Sequence, residues 1–404
     1  MQRVCIQFVL LTAAVIGLSF ASSRLWGGKP EGLTDRGPLV VEDTMTVAQF
    51  GQHNELPPAL LKKVFDLKSP ADSQKSITAF GMSNEEIGRK TEGLLALHAE
   101  HGSKNWVKIL VKFSLWLAFL ASVFVLMVRR RVTARNRKWL LLTAVAIFGV
   151  ALGSDPSPMG TVKDAIVLLG ARGVIFPPRL IAFGVFLLLV VFANKFICSW
   201  GCQLGTLQDL VFRLNREKQD RKNSTRQFKT PFAVSNSVRI AFFGAIIVFA
   251  FFWATDIVES VDPFKVFKPQ TLGLGGAAFV GAVLILSLFT WRPWCHLFCP
   301  FGLVGWAAEK ISVFKIHVDY HKCVACGACE KACPSTVMGA ILKRDRAIPD
   351  CFACGTCLET CPAEAISLKA GKRSEPPAGK FALDIVETET STVKQRPSKD
   401  KGEN

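Results

Sequence analysis

Cys323, Cys326, Cys329 and Cys333 are spaced C-x2-C-x2-C-x3-C and precede Pro334, and Cys351, Cys354, Cys357 and Cys361 repeat the pattern before Pro362. Three thiolates in so tight a loop can grip three irons of one cubane, while the fourth, ahead of the proline, reaches across to the other cluster. The doubled run therefore predicts two [4Fe–4S] clusters. One takes Cys323, Cys326, Cys329 and Cys361; the other takes Cys351, Cys354, Cys357 and Cys333. A zinc site calls for one four-ligand set rather than a duplicated eight-cysteine run with trailing prolines, and disulfides account for the spacing no better. The chemistry implied is one-electron transfer.

Four more cysteines form a second pattern. Cys198 and Cys202 bracket Ser199-Trp200-Gly201, and Cys295 and Cys299 bracket His296-Leu297-Phe298. On a continuous helix each C-x3-C pair sets two thiols on one face. The surroundings repeat too: Asp155-Pro156 and Asp262-Pro263 stand upstream, and Gly205 and Gly302 follow. An internally duplicated core can bring the pairs together as a four-cysteine metal site, open to an iron–sulfur cluster, a single iron or a zinc. A redox-active thiol pair and plain apolar packing are the other readings. His296 reads as a hydrogen-bond donor beside such a centre rather than as a ligand. Cys5 lies in an apolar segment and reads as a small apolar residue.

The elements that must hold these cysteines are apolar helices. Six stretches qualify as membrane spans: Val4–Phe20, Val107–Val128, Trp139–Leu152, Leu180–Ile197, Ile240–Thr255 and Leu272–Trp291. One Tyr against 31 Phe and nine Trp suits lipid-facing surface. The net charge of +17 is uneven: residues 129–138 carry six positive charges and no negative one, and seven Lys/Arg lie from Arg213 to Lys229. Charge gathered beside apolar segments is topological, which argues against nucleic-acid binding and puts these loops, both termini and the ferredoxin domain in the cytoplasm. Reducing conditions there keep thiols free for clusters. Trp200, Trp291, Trp294 and Trp306 read as an interfacial belt, and the Asp-Pro pairs as turn or helix-start signals.

The expected fold is a membrane α-helical bundle of about six spans with an internally duplicated core, a C-terminal cytoplasmic α+β 2[4Fe–4S] ferredoxin domain of bacterial type and a small all-α outer module. Residues 1–24 read as a signal anchor or signal peptide, with small residues around Ser19-Phe20-Ala21. Residues 25–105 form the outer, periplasmic module, 106–312 the duplicated core, 313–369 the ferredoxin domain and 370–404 a disordered polar tail. In the outer module Val47-Ala48-Gln49-Phe50-Gly51 and Ile77-Thr78-Ala79-Phe80-Gly81 recur thirty residues apart, and Pro57-Pro58 leads into an amphipathic helix. Its histidines, His53, His98 and His101, are scattered.

With both cysteine patterns in place, residues 107–368 resemble the membrane polyferredoxins of the NapH, NosR and CcoG group. The resemblance implies a multi-pass inner-membrane protein passing electrons between the quinone/quinol pool and a redox partner protein, with lipid and a haem or further iron–sulfur subunit as neighbours. Assembly or maturation of a metalloenzyme, and redox sensing, are the other roles implied. Gln203 stands where the family pattern expects a proline, and the outer segment carries no covalent-flavin signature. The chain itself has no histidine inside its expected spans and no C-x-x-C-H, which argues against bis-histidine haem b and c-type haem. Gly273-Leu274-Gly275-Gly276 lies in an expected span with no strand before it, so a nicotinamide site is unsupported.

Overall fold

A computed structural model describes residues 2–25, 39–103, 106–173, 175, 177–216, 227–377 and 381. Most of the expected tail, and residues 217–226 of the second basic loop, lie outside the described residues.

Leu, Val, Phe and Ala runs without interior proline make long helices whose apolar sides stay open. Three helices are long and apolar enough to cross a membrane, Gln2–Arg24, Ile109–Val128 and Phe232–Trp253; Pro177–Ala193 and Leu274–Phe289 are shorter apolar helices. Leu110, Leu188, Phe252 and Leu274 are among the side chains left exposed on them, a surface fit for lipid. The expected Trp139–Leu152 span is less regular. It runs as the α-helix Ala134–Ala144, whose first turn carries Arg135 and Arg137, and continues as a π-helix over Val145–Ala151.

The Pro158–Arg172 helix packs along Phe232–Trp253 so closely that a Cβ on Gly170 would lie 2.8 Å from the Ala250 backbone. Such an approach needs glycine. Asp262 caps the short helix Pro263–Phe267 by accepting from the Phe264 N–H, so this Asp-Pro pair is a helix start.

In the ferredoxin domain Phe314–Val318 pairs antiparallel with Ile366–Ala370, in register from Phe314↔Ala370 to Val318↔Ile366. Short helices Ala328–Ala332, Val337–Lys343 and Thr356–Thr360 carry the chain between the cysteine loops. The domain is seated on the bundle by the basic segments. The Arg130 guanidinium donates to the carbonyls of Leu358 and Glu364. Arg137 pairs with Glu359, which also accepts from the Ala134 N–H. Arg216 points to the Ala332 carbonyl, and Lys229 donates to that of Glu330. The positive residues first read as topology markers are also the docking groups.

The segment after residue 38 has a core of its own, built from Val47, Phe50, Leu60, Val64, Phe65, Ile77 and Ile87. Thr46 and Gln49 form a capping box on the Val47–His53 helix, and Pro58 opens the Pro58–Phe65 helix. The two recurring pentapeptides fold differently, one as α-helix and the other as the 3-10 turn Ile77–Phe80, and they meet at a bridge between Thr46 and Ser76.

Candidate metal centres

Cys323, Cys326, Cys329 and Cys361 line one cavity with Val318, Val324 and Leu342, about 370 Å³ of free space counting its open mouth. The two ferredoxin strands and the Ala328–Ala332 helix bring the distant Cys361 beside the other three. Ala365 N–H donates to Cys361 Sγ at 3.3 Å. This face is open: Cys326 and Val324 are exposed.

The other set converges away from solvent. Burial raises the Cys357 thiol, and the nearby Cys354, Cys333 and Cys351 raise it further. Cys333 is likewise raised by burial and then by Cys354. The Cys351 N–H donates to Glu309 at 3.1 Å, and Trp200 Nε1 donates to the Ala353 carbonyl at 3.1 Å, so two core elements reach into the loop. In both loops an Ala and a Gly take left-handed backbone, Ala325 and Gly327 in one, Ala353 and Gly355 in the other. These turn the chain sharply between successive ligands.

The C-x3-C pairs do not lie on one helix face, as first expected. Cys198 sits in the Phe196–Trp200 helix, which ends at Gly201, and Cys202 is the extended N-cap of Gln203–Leu214. Cys295 sits in Pro293–Leu297, and Cys299 is the extended N-cap of Pro300–Glu309. Each pair straddles a break between two helices, where the Cys202 N–H bonds back to the Ile197 carbonyl and the Cys299 N–H to that of Trp294; Pro300, without an N–H, opens the helix after Cys299. The breaks match in detail. A Cβ on Gly205 would lie 2.6 Å from the Cys198 carbonyl oxygen, and one on Gly302 would lie 2.8 Å from that of Cys295. Both glycines are required by this close return of the chain.

The two pairs meet. Burial pushes the Cys198 thiol up to about 12, with Cys295 among its neighbours, and Cys202 lies well above its usual value through burial, Cys295, Cys198 and Cys299. Around them Lys195, Arg239 and Arg292 are fully buried, as is Arg213 nearer the ferredoxin loop, whereas the fully buried carboxylates here are Asp209 and Asp350. Burial alone would raise Asp209, but Arg213 and Arg292 outweigh it and hold the carboxyl at about 2. Glu309 is pushed up to about 8 by burial, with Asp350 adding. The interior thus carries more positive than negative charge, which a protein sustains only with anions to match it.

Several buried donors also lack an acceptor: Gln208 Nε2, Arg239 Nε, Arg292 Nε and Trp294 Nε1. An anionic group rich in sulfur acceptors and held by thiolates answers both the charge excess and the open donors. Among the described residues no three His, Cys, Asp or Glu side chains are gathered as ligands of a single metal ion. A zinc draws its sulfurs to about 2.3 Å from one point, while a cubane takes its thiolates at separate corners.

His296 packs between Trp291 and Phe352, with ring centroids 5.5 and 5.1 Å away, and burial drives its pKa down to about 3. Trp200, Trp291 and Trp294 are buried rather than interfacial: Trp200 and Trp291 reach the Cys351 loop, and Trp294 packs among Phe242, Phe279 and Phe298. Trp291 Nε1 donates to Asp209 at 2.8 Å, which satisfies its N–H away from any interface. Trp306, half-buried, donates to the Ile348 carbonyl of the ferredoxin domain. The buried cations were missed because Lys and Arg near apolar segments ordinarily mark membrane edges. Their one sequence signal was position: Lys195 and Arg292 each stand three residues before the first cysteine of a pair.

These features define the chain as a ferredoxin-type protein, with one cysteine set in a soluble-type domain and another in its helical core. The comparisons agree on the class. A 4Fe-4S binding domain family matches twice, at residues 175–222 and 272–318, each stretch containing one C-x3-C pair. A second 4Fe-4S binding domain family matches residues 315–341. The chain is homologous to "Putative electron transport protein YccM" of Escherichia coli K12, 31% identical over 38% of this chain and 44% of that protein. "Methylamine utilization ferredoxin-type protein MauN" of Methylobacillus flagellatus is 26% identical over 36% of this chain and 50% of its own length. "Ferredoxin-type protein NapH" of Escherichia coli K12 is 27% identical over 37% of this chain and 52% of its own length. The resemblance read from the cysteines is therefore to true homologues, and the chain spans about half the length of these curated relatives. No solved structure matches.

Proposed function

We propose that this chain is a membrane-anchored electron carrier with three iron–sulfur sites, passing electrons between the quinone/quinol pool and a redox partner protein. One observation carries the reading: the cation-lined meeting of buried Cys198, Cys202 and Cys295 with half-buried Cys299 lies against the Cys351 loop through Trp200, Trp291, His296 and Phe352. The Cys323 loop lies on the solvent side of the same domain. Bound clusters would supply one-electron chemistry; the chain's residues order the sites from the membrane edge outward and keep water from the inner two. Two matches of one 4Fe-4S family, together with the paired helix breaks, support a duplicated core whose four cysteines hold a third cluster.

In this reading the core is multi-pass in the bacterial inner membrane and the ferredoxin domain is cytoplasmic. The contacts of Arg130, Arg137, Arg216 and Lys229 with that domain support one side for both basic segments. Quinol binds in the bundle near the cytoplasmic edge.

Iron and sulfide analysis of purified chain should give about twelve of each per chain, four per cubane. Replacing Cys198 and Cys295 together with Ser should remove about four irons and one EPR signal while sparing the other two. An unchanged iron count would reduce these cysteines to packing residues. Quinol added to lipid-embedded protein should reduce the clusters; failure with every quinol tried would remove the link to the pool.

A further inference from the structure

The two C-x3-C loops hold each other by exchanged cations. Arg292, three residues before Cys295, donates to the carbonyls of Cys198 and Ser199 at 2.5 and 3.0 Å. Lys195, three residues before Cys198, donates to the carbonyl of Gly302, just past Cys299, at 2.8 Å. The exchange is matched, but the countercharges are not. Arg292 pairs at 2.9 Å with Asp209, a residue of the core. Lys195 pairs at 3.2 Å with Asp350, a residue of the ferredoxin domain. Asp350 also accepts from Arg239 at 2.7 Å, and the Arg239 guanidinium lies against Gly302. All three side chains are buried, and the residue after Asp350 is Cys351. One carboxylate therefore gathers the two cations that flank the second C-x3-C loop and sits next in sequence to a cubane ligand.

We propose that Asp350 is a positioning residue that couples the four-cysteine site electrostatically to the cluster of the Cys351 loop. The inference rests on the reading of Cys198, Cys202, Cys295 and Cys299 as a metal centre. Its physics is simple. In a low-dielectric interior a full charge acts over several ångströms with little screening. A negative charge shared between two redox sites makes an added electron costlier at both. The Lys195 and Arg239 cations offset that cost, and they do so for both sites through the same carboxylate. One fixed charge placed this way sets both neighbouring potentials together.

The test is a redox titration followed by EPR on the full chain in lipid nanodiscs. Asp350→Asn should move the midpoint potentials of both sites upward with iron content unchanged, and Asp350→Glu should return both to wild type. Lys195→Met, a change in the core, should move both downward, while Lys195→Arg should leave both in place. Glu364→Gln removes an exposed carboxylate of the same domain and should shift neither. A shift confined to one site in Asp350→Asn overturns the coupling. If the wild type shows no third signal, the reading of the four cysteines fails by itself. The Cys351-loop cluster in Lys195→Met then still decides: an unmoved potential there overturns the role of Asp350.

Discussion

The two ferredoxin loops are nearly the same peptide in opposite surroundings. Cys323-Val324-Ala325-Cys326-Gly327-Ala328-Cys329 and Cys351-Phe352-Ala353-Cys354-Gly355-Thr356-Cys357 share ligand spacing and left-handed positions. Yet Val324 is 66% exposed, while Phe352 is 2% exposed, packed on Trp291 and His296 with Lys195 and Arg292 over its ring. Cβ space at Gly327 is open, but a Cβ at Gly355 would meet Met127 Sδ at 2.7 Å. Ligand geometry is local and copied; what differs is the face presented to the bundle. Repetition of a cysteine loop thus yields two sites in different surroundings, an inner one packed on the core and an outer one open to solvent.

The comparison can be broken most directly at iron. A water-soluble iron chelator should strip the Cys323-side cluster before the Cys351-side cluster, followed by loss of their separate EPR signals; equal rates would mean that the inner face is not sealed. Next in size, Phe352→Ala should destabilise the docked domain by about 3–5 kcal/mol, as expected for emptying a buried aromatic site. Val324→Ala should stay within about 0.5 kcal/mol, as surface changes do. Both are read from the denaturant midpoint of cluster absorbance.

Gly327→Ala and Gly355→Ala share the cost of a side chain at positive φ, about 1–2 kcal/mol. Gly355→Ala should cost about 1–3 kcal/mol more, because the Met127 side chain must move. Equal losses would show that the second loop is not pressed on the core. Smallest, Arg137→Met should cost about 1.5 kcal/mol through its buried bond to Glu359. Glu375→Gln, which breaks the exposed pair with Arg344, should cost less than about 1 kcal/mol.

Much of this was legible in the chain. The Cys spacing alone predicts crossed ligand sets; in the fold Cys361 lines the Cys323 cavity and Cys333 lies beside Cys354. Apolar length located the long helices, and Pro58 the start of the Pro58–Phe65 helix. The reading failed where residue type has two uses. Arg137 and Arg213 were counted with basic loops and Trp200, Trp291 and Trp294 with an interfacial belt, but all five are buried, together with Lys195, Arg239 and Arg292, which the sequence reading did not single out. Helical periodicity also put each C-x3-C pair on one face, whereas a helix break separates its members.

What the sequence determined by itself is the chemistry that depends on neighbours along the chain: cysteine spacing, apolar length and turn residues act within a few positions, so their consequences can be read locally. Only the tertiary structure decided which loop is sealed, how two cysteine pairs 97 residues apart meet, and that Asp350 pairs with Lys195 and Arg239. Those outcomes depend on burial. A charge or an indole takes its role from the groups packed around it, and packing joins residues that the chain keeps far apart.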